Sequence, residues 1–167
     1  MLISKEVDMQ IEADPYSEYS AATKIALNAL SRRAKSRGEL YAVLLKKNTE
    51  PDLIDRVLDR LTEHKLIDDQ AFANDWSRSR HIYKGLSRNV LARELRQKGV
   101  GDFEISVALE QIAPESEMAV ATALVAKKLR SLQRENAEVK YRRISSFLAR
   151  KGYSYQLISQ LLRETDL

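Results

Sequence analysis

The sequence predicts an all-α protein: three tandem three-helix, helix-turn-helix-like repeats forming an elongated, curved array. One pattern carries most of that reading. An apolar helix face, a basic residue, a helix stop and a second apolar face occur first as Leu40, Leu44, Lys47, Asn48, Ile54, Val57 and Leu58. The same order returns 51 residues later as Leu91, Leu95, Lys98, Gly99, Ile105, Ala108 and Leu109, and after 53 more as Ile144, Leu148, Lys151, Gly152, Ile158, Leu161 and Leu162. A unit repeated at near-constant period stacks on its neighbours and works through its long side rather than a pocket, which favours a binding protein over an enzyme. The second observation is that no segment alternates apolar and polar residues over a useful length. Helices of about 10 to 14 residues are marginal alone, so their apolar stripes must pack within and between triplets.

The elements follow in order. Residues 1–19 mix charge, Pro15 and scattered apolar positions and read as a flexible acidic tail. Folded structure is expected from Ser20, giving units over 20–65, 66–113 and 114–167. In the first unit, Ala22, Ile25, Ala26 and Ala29 mark a helical face, and Ser36 with Glu39 forms a capping-box signature for the second helix. Asn48 tolerates the left-handed conformation that stops that helix, and Pro51 suits the first position of the third, whose stripe is Ile54, Val57, Leu58 and Leu61. The second unit opens at the N-cap Asp68, with Ile67 and Phe72 spaced as a hydrophobic staple and Phe72, Trp76, Ser79 and Tyr83 as the inward face. Gly85 punctuates, Ser87 caps the helix of Leu91 and Leu95, and Gly99 to Gly101 turn into the stripe Ile105, Ala108, Leu109 and Ile112. In the third unit Pro114 begins a helix with Met118, Ala121, Val125, Leu129 and Leu132 inward. Asn136 caps the helix of Ile144 and Leu148, Gly152 ends it, and Ser154 caps the last.

Formal charge is +4, but residues 1–20 hold five carboxylates against Lys5, so that stretch carries −4 and the remainder +8. A basic body of that kind attracts polyanions or acidic protein surfaces. With no cysteine there is neither a disulfide nor a thiolate zinc site. No apolar run approaches the roughly 18 to 20 residues that span a bilayer, and the acidic N-terminus does not resemble a signal peptide. The expectation is a cytoplasmic protein without membrane contact.

A longer set of residues is specific. The run Leu66-Ile-Asp-Asp-Gln-Ala-Phe-Ala73, then Ser77-Arg-Ser-Arg80, Lys84-Gly85, Leu91 and Glu94-Leu-Arg-Gln-Lys-Gly-Val100 closely resembles the RecX family, regulators of the RecA recombinase. Ser36-Arg-Gly-Glu-Leu40, Lys127-Lys-Leu129 and Phe147-Leu-Ala-Arg-Lys-Gly-Tyr-Ser-Tyr155 agree with it, so that the likeness covers about residues 23–163. The resemblance implies a monomeric negative regulator that binds the RecA filament along its helical groove and restrains filament growth, ATPase, strand exchange and co-protease activity, with weak binding to single- and double-stranded DNA. One departure is Lys47-Asn48 where the family has a Lys-Gly turn; Asn is the next best left-handed residue.

The candidate contact residues are basic. Arg78, Arg80, Lys84, Arg88, Arg93, Arg96 and Lys98 form a dense run in which Glu94 is the only acid, and a second run includes Lys127, Lys128, Arg150 and Lys151. Guanidinium groups pair bidentately with carboxylates or phosphates at any physiological pH. Several of the eight acids between Glu50 and Asp75 fall in first helical turns, where they complement the helix dipole. Trp76 and Phe72 read as core, and core or turn packing is the reading for Tyr153 and Tyr155. His64 and His81 have no partner at metal-ligand spacing, and the five glycines form no phosphate loop. No catalytic residue, metal or cofactor is expected. The rival reading is a sequence-tolerant helix-turn-helix-like DNA-binding protein, which a steep salt dependence would reveal.

Overall fold

Most of the helices start where the chain can meet or do without the orphan N–H groups of a first turn. In the computed structural model, which describes residues 15–165, the described residues form nine helices and no strand. They are α1 (Pro15–Leu30), α2 (Arg37–Leu45), α3 (Pro51–Glu63), α4 (Asp69–Lys84), α5 (Arg88–Gln97), α6 (Asp102–Glu110), α7 (Pro114–Arg130), α8 (Ala137–Arg150) and α9 (Tyr155–Arg163). Side-chain oxygens of Ser36, Asp68, Ser87, Asn136 and Ser154 accept the N–H three residues on. Pro51 and Pro114 open α3 and α7, where a missing donor costs nothing. No described helix is long and apolar enough to cross a membrane.

The stops are backbone events. Gly85, Gly99 and Gly152 take positive φ, and Asn48 does so at 58°, as the turn between α2 and α3 requires. Lys65 also turns left-handed, at φ 57°, without any sequence signal for it.

The apolar stripes bury into three separate cores, one for each triplet. The first gathers Ala22, Ala26, Leu40, Leu44, Ile54, Val57, Leu58 and Leu61 from α1–α3. The second is built on Phe72, Ala73, Leu95, Val100, Ile105 and Ala108 from α4–α6, and the third on Ala121, Val125, Ile144, Leu148, Ile158, Leu161 and Leu162 from α7–α9. Three small cores in a row, rather than one shared core, make the array. Between units α4 packs on α7, while within its own unit it packs on both α5 and α6.

Four expectations change. Helix α1 begins at Pro15, five residues before Ser20, because proline is tolerated in a first turn; residues 1–14 of the expected acidic tail lie outside the described residues. Ile67 and Phe72 do not pack into one local staple: Ile67 buries in the first core and Phe72 in the second. Tyr83 is 81% exposed, because the buried line of α4 runs through Ala73, Ser77 and His81 instead. Tyr155 is also exposed, whereas Tyr153 is buried and donates its hydroxyl to the Gly85 carbonyl at 3.2 Å. Burial, helped by the charge of Glu117, pushes the Tyr153 phenol up to about 12.

Candidate partner-binding surface

Six of the candidate basic residues, Arg80, Lys84, Lys98, Lys127, Lys128 and Lys151, lie at the two junctions between units, and both junctions use one frame. At the first, the Arg37 N–H opening α2 donates to Asp69 in the first turn of α4 at 2.7 Å. At the second, the Arg88 N–H opening α5 donates to Glu117 in the first turn of α7 at 2.9 Å. The N-cap serine beside each donor grips the Lys-Gly turn of the following unit. Ser36 donates its hydroxyl to the Lys98 carbonyl, and Ser87 donates its backbone N–H to the Lys151 carbonyl at 3.0 Å. These contacts need close approach. A Cβ on Gly38 would lie 2.6 Å from Gly99 Cα, and one on Gly152 would lie 2.5 Å from the Ser87 hydroxyl.

Above this frame the first junction is ionic. Glu39 Oε1 accepts from Lys98 at 2.7 Å and its two oxygens accept from Arg33 at 2.9 and 3.1 Å. Ser36 does cap the Glu39 N–H, but the Glu39 carboxylate turns to these cations instead of closing the capping box. Burial raises the Glu39 carboxyl, yet the hydrogen bonds and charges of Arg33 and Lys98 outweigh it and hold the group at about 2. Next to this pair, Lys98 and Arg80 lie 4.0 and 4.3 Å from the centre of the Trp76 ring, close enough for cation–π attraction. Glu94 accepts from the Trp76 indole at 2.9 Å and faces Arg80 at 3.8 Å.

The second junction is open. Lys84, Lys127, Lys128 and Lys151 line one groove of about 640 Å³ between the end of α4, α7 and α8. Its apolar wall is Ile82, Tyr83, Leu124 and Phe147, with Ile82 and Tyr83 mostly exposed. Lys128 and Lys151 stand 5.8 and 5.6 Å from the Phe147 ring centre, and Lys151 also donates to the Lys84 carbonyl. Among the described residues none of these four ammonium groups forms an ion pair with a carboxylate.

The structure therefore divides the candidate residues. Arg78 is exposed but paired with Asp75 at 2.6 Å, and Arg96 with Asp102 at 2.8 Å. Arg80 and Lys98 are half-buried on Trp76, so Lys98 joins two units rather than projecting from α5. Arg88 is half-buried above Glu117, while Arg93 and Arg150 are exposed without a described ion pair. Counting acids within the run from 78 to 98 misses three counter-charges, since Asp75, Asp102 and Glu39 reach in from outside it. Sequence spacing does not mark the apolar wall, and the signal for it is the outward position of Ile82 and Tyr83 once Ala73, Ser77 and His81 define the buried line. His81 itself is buried, with Nδ1 on the Leu86 carbonyl at 3.0 Å and Nε2 near the Ser116 hydroxyl. The described residues hold no cluster of three metal-ligating side chains.

Three family descriptions match in tandem. Residues 22–61 match "RecX, first three-helix domain", residues 68–109 the second and residues 115–162 the third. The chain is 38% identical over 152 residues to a regulatory protein RecX of Thermobifida fusca, covering 91% of this chain and 82% of that one. It is 43% identical over 148 residues to the one of Mycolicibacterium smegmatis, covering 86% and 79%. The crystal structure of RecX from Lactobacillus salivarius superimposes with a TM-score of 0.80 at 23% identity, over 89% of this chain and 97% of that chain, and so shares the fold.

Proposed function

The chain belongs to the RecX family, and from that membership we propose that it is a negative regulator of the RecA recombinase that lies in the groove of the RecA–DNA filament and acts without catalysis. Two features support the reading: three tandem units that give a long contact side, and lysines at the second junction left without carboxylates. An array bridging several filament subunits opposes their addition or rearrangement. Each unit that docks makes the next contact intramolecular, so affinity grows through effective concentration. Inhibition of filament growth, ATPase, strand exchange and co-protease activity follows from one such binding mode. In this role the chain is a monomer, and its weak contacts to single- and double-stranded DNA are secondary.

Co-sedimentation with RecA filaments, formed with and without single-stranded DNA at low and moderate salt, tests this. Contacts to Z phosphates of duplex DNA weaken binding with a slope of about −0.9Z in log K against log salt. The expected result is association with filaments that persists at the salt concentration where binding to free DNA has gone. Loss of both in parallel would place DNA binding first and overturn the filament reading.

A further inference from the structure

The two junctions are internal copies of one another, and their differences assign the open groove. Second helices correspond at intervals of 51 and 53 residues, as the Ser36, Ser87 and Lys98, Lys151 contacts show. First helices α4 and α7 correspond at 48, since buried Ala73 and Ser77 match Ala121 and Val125, and Asp69 matches Glu117 in the same hydrogen bond. On this register the cations of the first junction, Arg33, Arg80 and Lys98, become Lys84, Lys128 and Lys151 at the second. The positive charge is kept. The two carboxylates that satisfy it are not: Glu39 becomes Val90, and Glu94 becomes Phe147.

We propose that the groove between α4, α7 and α8 is a docking site for an acidic peptide segment of a protein partner, whose carboxylates take the places that Glu39 and Glu94 fill at the first junction. The first junction shows the chemistry that this frame accepts: carboxylates, 2.7 to 3.8 Å from the cations, beside an aromatic ring. The second offers the same cations, plus Lys127, with an aliphatic and aromatic wall where an apolar side chain of the segment buries. Single-stranded nucleic acid is the rival occupant, since lysines beside Tyr83 and Phe147 also suit a phosphate backbone and a stacked base, and the test separates the two. This deepens the reading as a filament regulator and rests on it for the identity of the partner; it assigns four of the basic residues to protein rather than to nucleic acid.

The test uses the full chain and three probes: a fluorescent octapeptide of Glu and Asp around a central Leu, its Gln and Asn analogue, and a fluorescent oligothymidylate. Anisotropy should show the acidic peptide bound, the neutral analogue not bound, and the peptide affinity reduced about tenfold by Lys127→Gln with Lys128→Gln. Oligothymidylate affinity should fall less than threefold in the same variant. Lys127 is exposed, and Lys127→Glu alone should weaken the peptide in the same direction without disturbing the fold. No difference between acidic and neutral peptides, or an oligothymidylate loss that matches or exceeds the peptide loss, overturns the proposal. Filament co-sedimentation separates the two readings. If the filament binds and the lysine variants do not weaken it, this assignment fails alone; if peptide binding is groove-dependent and no filament binds, the filament role fails alone.

Discussion

At the first junction Lys98 lies 2.7 Å from a carboxylate and 4.0 Å from an indole ring; at the second, Lys151 lies 5.6 Å from a phenyl ring and reaches only a backbone carbonyl. Both lysines close the same turn, and both turns are held by a serine N-cap and by a helix-opening N–H on an acid of the next unit. The difference teaches which contacts make a joint and which make a surface. Backbone donors and glycine contacts hold the units together at either place, so the side chains above them are free to neutralise one another or to leave charge for a partner.

Three changes probe that contrast. The largest removes what both junctions depend on. Leu95 is fully buried in the middle core, and Leu95→Asp places a carboxylate there with no partner, which costs more than about 4 kcal/mol. Circular dichroism and thermal melting should show the middle unit unfolded; a wild-type melting curve would break the account of three small cores.

The next concerns the first junction alone. A carboxyl held at about 2 instead of the ordinary 4.5 is stabilising above about pH 4.5 and loses that contribution as pH falls towards 2. A shift of that size is about 3 kcal/mol, which screening at this partly exposed pair reduces to about 2. Glu39→Gln should therefore lower stability at neutral pH by about 2 kcal/mol, with the gap to wild type closing between about pH 4.5 and 2 in denaturant titrations. Burial pushes the Asp69 carboxyl up, which acts in the opposite sense on both proteins and cancels in the comparison. A gap that stays constant over that range would show that Glu39 acts by shape rather than charge.

The smallest effect belongs to the second junction. Tyr153→Phe removes the hydroxyl bond to Gly85 and should cost about 1 kcal/mol, without altering the acid response. If it destabilised more than Glu39→Gln, the second junction would be the tighter of the two.

Most of the fold was legible because its signals are local. Ser36, Asp68, Ser87, Asn136 and Ser154 cap within three residues, and the stripes through Leu40, Leu91 and Ile144 repeat within one turn. What was not legible is pairing at a distance. Lys98 meets Glu39 across 59 residues and Lys151 meets Lys84 across 67, so a basic run read along the chain mixes satisfied cations with open ones. Tyr83 misled because Phe72, Trp76, Ser79 and Tyr83 do keep helical spacing, yet the face that buries lies further round the helix, through Ala73, Ser77 and His81. Aligning the three units against one another would have exposed the Glu39-to-Val90 and Glu94-to-Phe147 replacements.

Helix α4 is held at both ends by its neighbours. Its first turn receives the Arg37 N–H from the preceding unit, and its last carbonyls, at Lys84 and Gly85, receive Lys151 and Tyr153 from the following one. Sixteen residues at about 1.5 Å each make a strut of about 24 Å. Tension between the outer units is thus shared by two rods side by side, α4 and α5, since Ser36 also grips the end of α5 at Lys98 and the Lys151 carbonyl receives the Ser87 N–H at its start.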